Sequence, residues 1–137
     1  VLASACVIFG TPVYWYGPSA QMKAFIDRWV CRMHFDEQGF RARMRGKKCM
    51  LAVPHLEERL TAAKYLLGIM ERTFEYMDMP LVGKIQCVAW RRREVSQDEV
   101  TLRHAFDLGA RLAELEAVKK AHVSVTFGFS KGPSAGG

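Results

Sequence analysis

The chain has 137 residues, half of them hydrophobic and a quarter charged, with a formal net charge of +6. That length suits one domain with a sizeable core, and that composition excludes a disordered or collagen-like chain. No run approaches the roughly 18 apolar residues of a membrane span and no basic-then-apolar leader is visible, so a cytoplasmic protein with no membrane partner is expected.

Ala5-Cys-Val-Ile-Phe9 and Gly10 form a short, nearly continuous apolar run, the pattern of a strand buried on both faces of a parallel sheet. Because Val1 rather than a methionine stands just ahead of it, the true start of the protein is expected to lie upstream. Residues 11–17 read as a loop, and Gly17-Pro18 then open a helix with Pro18 in its first turn. Met22, Phe25, Ile26, Trp29, Val30 and Met33 recur at spacings of three and four, which makes one apolar stripe. Residues 34–46 are polar and arginine-rich, punctuated by Gly39 and Gly46, and read as a loop with room for one turn of helix. Lys48-Cys-Met-Leu-Ala-Val53 is the second strand, with Pro54 expected to stop it and His55 to begin the loop at its carboxyl end.

Leu60, Ala63, Leu67, Met70, Phe74 and Met77 predict a long helix over residues 60–78, closed by Pro80. Its methionines, with Met79, read as core and interface packing. Lys84-Ile-Gln-Cys-Val-Ala-Trp90 is a third strand. Ser96-Gln-Asp-Glu99 has the spacing of a capping box, and Leu102, Ala105, Phe106, Gly109, Leu112 and Ala113 would be the buried face of the helix it starts, to about residue 117. Residues 1–120 thus form an α/β unit and residues 121–137 a tail. In the tail, Val123, Val125, Phe127 and Phe129 alternate as in an edge strand, ahead of a low-complexity end, Ser130-Lys-Gly-Pro-Ser-Ala-Gly-Gly137.

Strand and helix alternate three times, which implies parallel strands joined by right-handed crossovers. In such sheets a ligand lies at the carboxyl ends of the strands. Tyr14, Trp15 and Tyr16 stand at that place, where three bulky aromatics are costly in water unless they cover something flat. A hydrophobic plug or a dimer contact is the alternative reading. His55 reads either as a hydrogen-bonded loop histidine or as a ligand contact. Ser19, at a helix start with no base nearby, reads as a cap rather than a nucleophile, and no catalytic side chain is assigned.

Cys6, Cys31, Cys49 and Cys87 contain no Cys-x-x-Cys pair, and three of them sit inside apolar runs. Neither a disulfide framework nor a metal site is expected, and free thiols fit a reducing compartment. The positive excess gathers at residues 41–48 and at Arg91-Arg92-Arg93. It reads as solvated loops, or as an electrostatic lure for an anion such as a nucleotide phosphate. No nucleic-acid motif accompanies it, so no nucleic-acid partner is expected.

The stretch Phe9-Gly-Thr-Pro-Val-Tyr-Trp-Tyr-Gly-Pro-Ser-Ala-Gln-Met-Lys-Ala-Phe-Ile-Asp-Arg28 resembles the flavin loop of the flavodoxin-like NAD(P)H-dependent FMN reductases, a family that includes iron–sulfur flavoproteins. The resemblance implies a doubly wound parallel sheet in three α/β/α layers, with FMN at the switch point between strands 1 and 3. It places the first strand of this chain at strand 3. Strands 1 and 2 and the phosphate-cradling loop would then be missing, and one side of strand 3 would be exposed.

It also implies that Thr11, Pro12, Val13, Tyr14, Trp15, Tyr16 and Gly17 border the isoalloxazine ring, with backbone N–H groups near Tyr14 to Tyr16 facing its N5 and O4 edge. Pro12 and Gly17 would shape the loop for close approach. Pro54 and His55, with Glu57 nearby, could reach the same cofactor from the second loop. The activity implied is hydride transfer from NAD(P)H to FMN and electron delivery to a small-molecule or protein acceptor such as a quinone, a flavin or a metal centre, in a homodimer. The alternatives are an electron-carrying module without its own turnover, and a flavin-free interaction domain.

Overall fold

The structure is a computed structural model that describes residues 1–57, 60–91, 93–116 and 123–127. Its strands are β1 (Cys6–Gly10), β2 (Lys48–His55), β3 (Leu81–Val88) and β4 (Val123–Phe127), and its helices are α1 (Ala20–Met44), α2 (Lys64–Tyr76) and α3 (Glu99–Glu116). The sheet order is β3-β2-β1-β4 and every pairing is parallel. Each of the first two crossovers moves one strand along the sheet, so α1 and α2 share one face. The last connection runs back past β2 and β1, and α3 covers the other face.

The strands alternate between these layers residue by residue, as a pleated sheet requires. Val7, Phe9, Cys49, Leu51 and Val53 point into the larger core with Met22, Trp29, Leu66, Met70 and Phe74. Cys6 and Met50 point the other way, against Leu112, with Ile8, Ile85 and Leu108 beside them. Phe9 is the centre of the larger core, with its ring 4.8 Å from Phe74 and 6.1 Å from Trp29. Gly83 lets α3 approach closely, because a Cβ there would meet the Leu108 side chain and the Met50 methyl at 3.2 Å.

Several local expectations are corrected. Residues 34–46 are not a loop: α1 runs on to Met44, broken only at Asp36 (φ −156°, ψ 64°). There Asp36 Oδ1 accepts the Gly39 N–H at 3.1 Å, which restarts the helix. The second half is amphipathic after all, since Phe40 and Met44, four residues apart, are both buried. Its arginines have partners, with Arg41 and Arg45 on Asp78 at 3.3 and 3.2 Å and Arg43 on Asp36 at 3.1 Å. Such exposed pairs contribute little stability, and they make that part of the basic excess a solvated face.

Residues 60–63 are a short 3₁₀ turn ahead of α2 rather than part of one long helix. The capping box also shifts: Ser96 lies in a 3₁₀ turn and donates to the Arg93 carbonyl, while Asp98 accepts from the Thr101 N–H at 3.0 Å and caps α3. The Thr101 hydroxyl first, and then that backbone bond, hold the Asp98 carboxyl below its ordinary pKa. On α3, Leu112 is buried and Leu108 packs beside it, but Phe106 and Leu102 are exposed. Val30 likewise faces outward from α1.

The side of β1 expected to be exposed is paired with β4, from Cys6 opposite Val123 to Gly10 opposite Phe127. An unpaired edge on a central parallel strand leaves a row of backbone groups without partners, and β4 supplies them. Phe129 and residues 130–137 lie outside the described residues. Among the described residues no helix is long and apolar enough to cross a membrane.

Candidate functional site

The carboxyl end of β1 continues into a loop whose first half is welded to β2. Thr11 N–H donates to the Ala52 carbonyl at 3.0 Å, and Val13 N–H to the Pro54 carbonyl at 3.2 Å. These bonds extend the ladder past Gly10. They also explain why Pro54 does not end β2, which runs to His55. The N–H that proline lacks would lie on the β1 side of the strand, as its carbonyl does, so the ladder to β3 loses no bond there.

The second half of the loop is anchored to α1. Thr11 and Ser19 are both buried; Ser19 N–H donates to Thr11 Oγ1 at 3.0 Å, and Ser19 Oγ accepts from Met22 N–H at 3.3 Å. Ser19 is therefore the cap of α1, which begins at Ala20, two residues beyond the Pro18 start read from the sequence.

Between these anchors the chain makes a two-residue hairpin. Tyr14 N–H donates to the Gly17 carbonyl at 2.9 Å and Gly17 N–H to the Tyr14 carbonyl at 3.0 Å. The two residues at the tip, Trp15 (φ 48°) and Tyr16 (φ 65°), are both left-handed. Hairpin turns of this kind prefer Asn-Gly, because a side chain in the left-handed region costs about 1–2 kcal/mol. Here that conformation falls on two large aromatics. Gly17, expected to shape the loop, does not need its freedom: it has no left-handed φ, and an added Cβ would only touch the Tyr14 carbonyl at 3.7 Å.

The turn presents what it carries. Trp15 is 96% exposed, and Tyr14 and Tyr16 about half exposed. Tyr16 meets the Tyr65 ring edge-on at 6.2 Å, with the planes at 80°. Among the described residues, the Trp15 and Tyr16 N–H groups have no protein acceptor. The Tyr14 N–H is occupied inside the turn, so of the three expected donors two are free.

A cleft of about 190 Å³ lies beside the turn. Val13, Trp15 and Tyr16 line it from the first loop; His55, Leu56 and Glu57 line it from the end of β2, and Ala62 from the 3₁₀ turn. Of the residues singled out in the sequence, Val13, Trp15, Tyr16, His55 and Glu57 come together here. Thr11, Pro12, Tyr14, Gly17 and Pro54 do not line it; Thr11, Gly17 and Pro54 hold the backbone that does. Leu56 and Ala62 escaped notice, since an apolar residue after a strand and an alanine in a helical pattern carry no chemical signal. His55 is 3% exposed, and its Nδ1 lies 2.7 Å from the Glu57 carbonyl oxygen. Its Nε2 is shielded from solvent and has no hydrogen-bond partner among the described residues.

The thiols are remote from this chemistry. Cys49 is fully buried and its pKa is pushed up to about 12, first by loss of hydration and then by the neighbouring Cys6. Burial also raises Cys87, with a smaller contribution from Asp98. Among the described residues no three metal-ligating side chains gather.

Comparison with known proteins agrees with this architecture. The chain is 27% identical over 109 residues to a protein of Bacillus subtilis (strain 168) provisionally named NAD(P)H-dependent FMN-containing oxidoreductase YwqN; the match covers 79% of this chain and 60% of that protein. Among solved structures it resembles the Trp repressor binding protein from Bacillus subtilis, with a TM-score of 0.72 and 27% identity over 78% of this chain and 64% of that one. It shares the fold of a flavodoxin, WrbA-like protein from Agrobacterium tumefaciens, with a TM-score of 0.65 and 21% identity over 87% and 70% of the two chains. The chain thus spans about three-fifths of the length of its curated relative. A family model described as flavodoxin-like fold matches residues 1–97, and with β1, β2 and β3 parallel and in sequence, the chain belongs to the flavodoxin-like family.

Proposed function

We propose that this chain carries the ring-binding edge of an FMN-dependent oxidoreductase that draws a hydride from NAD(P)H and passes electrons to an acceptor such as a quinone, a flavin or a metal centre. The observation that carries the reading is the left-handed Trp15-Tyr16 turn at the carboxyl end of β1. Strain of that kind persists where the surroundings impose it, and it gathers at ligand sites. The name of the Bacillus relative supports the choice of flavin and nicotinamide.

The residues present fit a flavin ring. Exposed aromatics offer flat surface, and among the described residues the two N–H groups at the tip of the turn and a buried imidazole nitrogen lack partners. At about 190 Å³ the cleft is smaller than the roughly 300 Å³ that encloses a drug-sized ligand, so it suits one edge of the ring rather than the whole of FMN. When bound, FMN supplies the hydride and electron chemistry. The chain supplies position and field. The Trp15 and Tyr16 N–H groups stabilise negative charge on the ring edge, fixed by the anchors at Thr11 and Ser19. Tyr16 and Tyr65 shield that edge from water. The outward Trp15 leaves a ring face for a second copy to cover, so a cytoplasmic homodimer is part of the proposal.

The test is the product of the full-length gene. It is expected to be yellow, to lose visible absorption when denatured and dialysed, and to oxidise NAD(P)H steadily. A yellow product without steady NAD(P)H oxidation would make it an electron carrier. A colourless product that ignores added FMN contradicts the reading.

A further inference from the structure

We propose that the kink in α1 holds a second ligand site, one that takes an aromatic dianion. A cavity of about 450 Å³ lies there, within the size range of small-molecule sites and more than twice the volume of the cleft beside the turn. The two share no lining residue, so this inference stands apart from the flavin reading. Arg28, Arg32 and Phe35 line the cavity from the first half of α1, Phe40 and Arg43 from the second, and Asp36 from the break between them.

Arg28, Arg32 and Phe35 follow one another at spacings of four and three, which puts them on one face of the helix. Like charges four residues apart destabilise a helix slightly. Asp36, four residues beyond Arg32, is where a helix would supply the answering carboxylate. The kink diverts it: Asp36 leaves the helical conformation and accepts from the Gly39 N–H and from Arg43, each at 3.1 Å. Among the described residues neither Arg28 nor Arg32 has an ion-pair or hydrogen-bond partner, whereas Arg41, Arg43 and Arg45 all have carboxylates. Three guanidiniums and one carboxylate on the wall leave an excess of two positive charges.

The apolar part of the wall is also open. Phe40 is buried edge-on to Trp29, but Phe35 is 85% exposed beside the unpaired arginines. A flat ring laid on Phe35 takes apolar surface out of water. Two oxyanions on that ring answer Arg28 and Arg32, whose planar guanidiniums match carboxylate and phosphate oxygens. Unpaired cations or an exposed phenylalanine alone would describe a solvated face. One cavity that joins them specifies both the charge and the shape of its ligand.

The experiment uses the 137-residue chain, naphthalene-2,6-dicarboxylate as the probe and Cys31 as the reporter. Cys31 lines the cavity and is exposed while the other three thiols are buried, so its alkylation by neutral iodoacetamide reads occupancy. The dicarboxylate is expected to slow that alkylation saturably, and its uncharged dimethyl ester to have no effect. Added salt should weaken the protection. Arg28→Gln with Arg32→Gln should weaken it about tenfold, and Phe35→Ala about threefold, at unchanged melting temperatures because all three side chains are exposed.

Absence of saturable protection in wild type overturns the site. Equal protection by the ester, or by sodium sulfate at the same ionic strength, overturns the ligand class. Protection that survives in the double arginine variant overturns the role of the two cations. Should a variant not fold, the comparison of dicarboxylate, ester and sulfate on wild type still decides the matter.

Discussion

Trp29 and Trp15 are the same side chain in opposite circumstances. Trp29 is 6% exposed on α1, edge-on to Phe9, Phe25 and Phe40. Trp15 is 96% exposed on a left-handed turn at the end of β1. The first aromatic occupies an ordinary helical position and stabilises the fold. The second burdens it twice, through backbone strain and through apolar surface left in water. A chain that closes its core so thoroughly around Phe9 has no need of the second arrangement for folding, and this is why we read the turn as a ligand platform.

The contrast can be tested from its strong side first. Phe74→Ala, which removes a buried ring packed at 4.8 Å on Phe9, is expected to cost about 3–5 kcal/mol in urea unfolding. A loss below about 1 kcal/mol would mean that this core is not the frame described. On the other side, Trp15→Asn with Tyr16→Gly installs the pair that such hairpins prefer. It should raise stability by about 1 kcal/mol or more while weakening FMN binding, the opposition expected at a strained site. Between the two regions lies the anchor: Ser19→Ala removes the cap of α1 and should cost about 1 kcal/mol by the same unfolding assay.

The smallest effect concerns the thiols. Exposed Cys31 should be alkylated in the native protein while buried Cys6, Cys49 and Cys87 resist. In the unfolded chain the Cys49 thiol ionises near its ordinary 9.0, whereas in the folded chain it stays protonated to about 12. Above pH 9 the unfolded state therefore binds fewer protons, so stability falls as pH rises from about 9 to 12. Cys49→Ala should flatten that decline in an alkaline denaturation series.

How legible each region was follows from the same contrast. Met22, Phe25, Ile26 and Trp29 announced α1 by their spacing, because a buried helix face repeats with the turn of the helix. The continuation past Asp36 was hidden, since only Phe40 and Met44 carry the period there and arginines surround them. On α3, Phe106 matched the period yet faces outward, because periodicity gives a face and not what covers it. Ser96 and Glu99 had the right residues for a cap, but Asp98 is nearer the first helical turn and accepts from Thr101. The aromatic cluster at residues 14–16 was legible as a candidate site at the end of β1. Its left-handed backbone was invisible, since Trp-Tyr is the last pair that turn chemistry would suggest. The pairing of His55 with that turn across the β1–β2 ladder is a tertiary fact that no local pattern contains.

The most direct test of the central claim is a flavin titration of the chain beside its Trp15→Asn/Tyr16→Gly variant, with unfolding free energies measured on the same samples. Wild type should quench FMN fluorescence and shift its visible band, and the variant should bind at least tenfold more weakly while being the more stable of the two. Equal affinities, or a variant that is both weaker and less stable, would contradict the account.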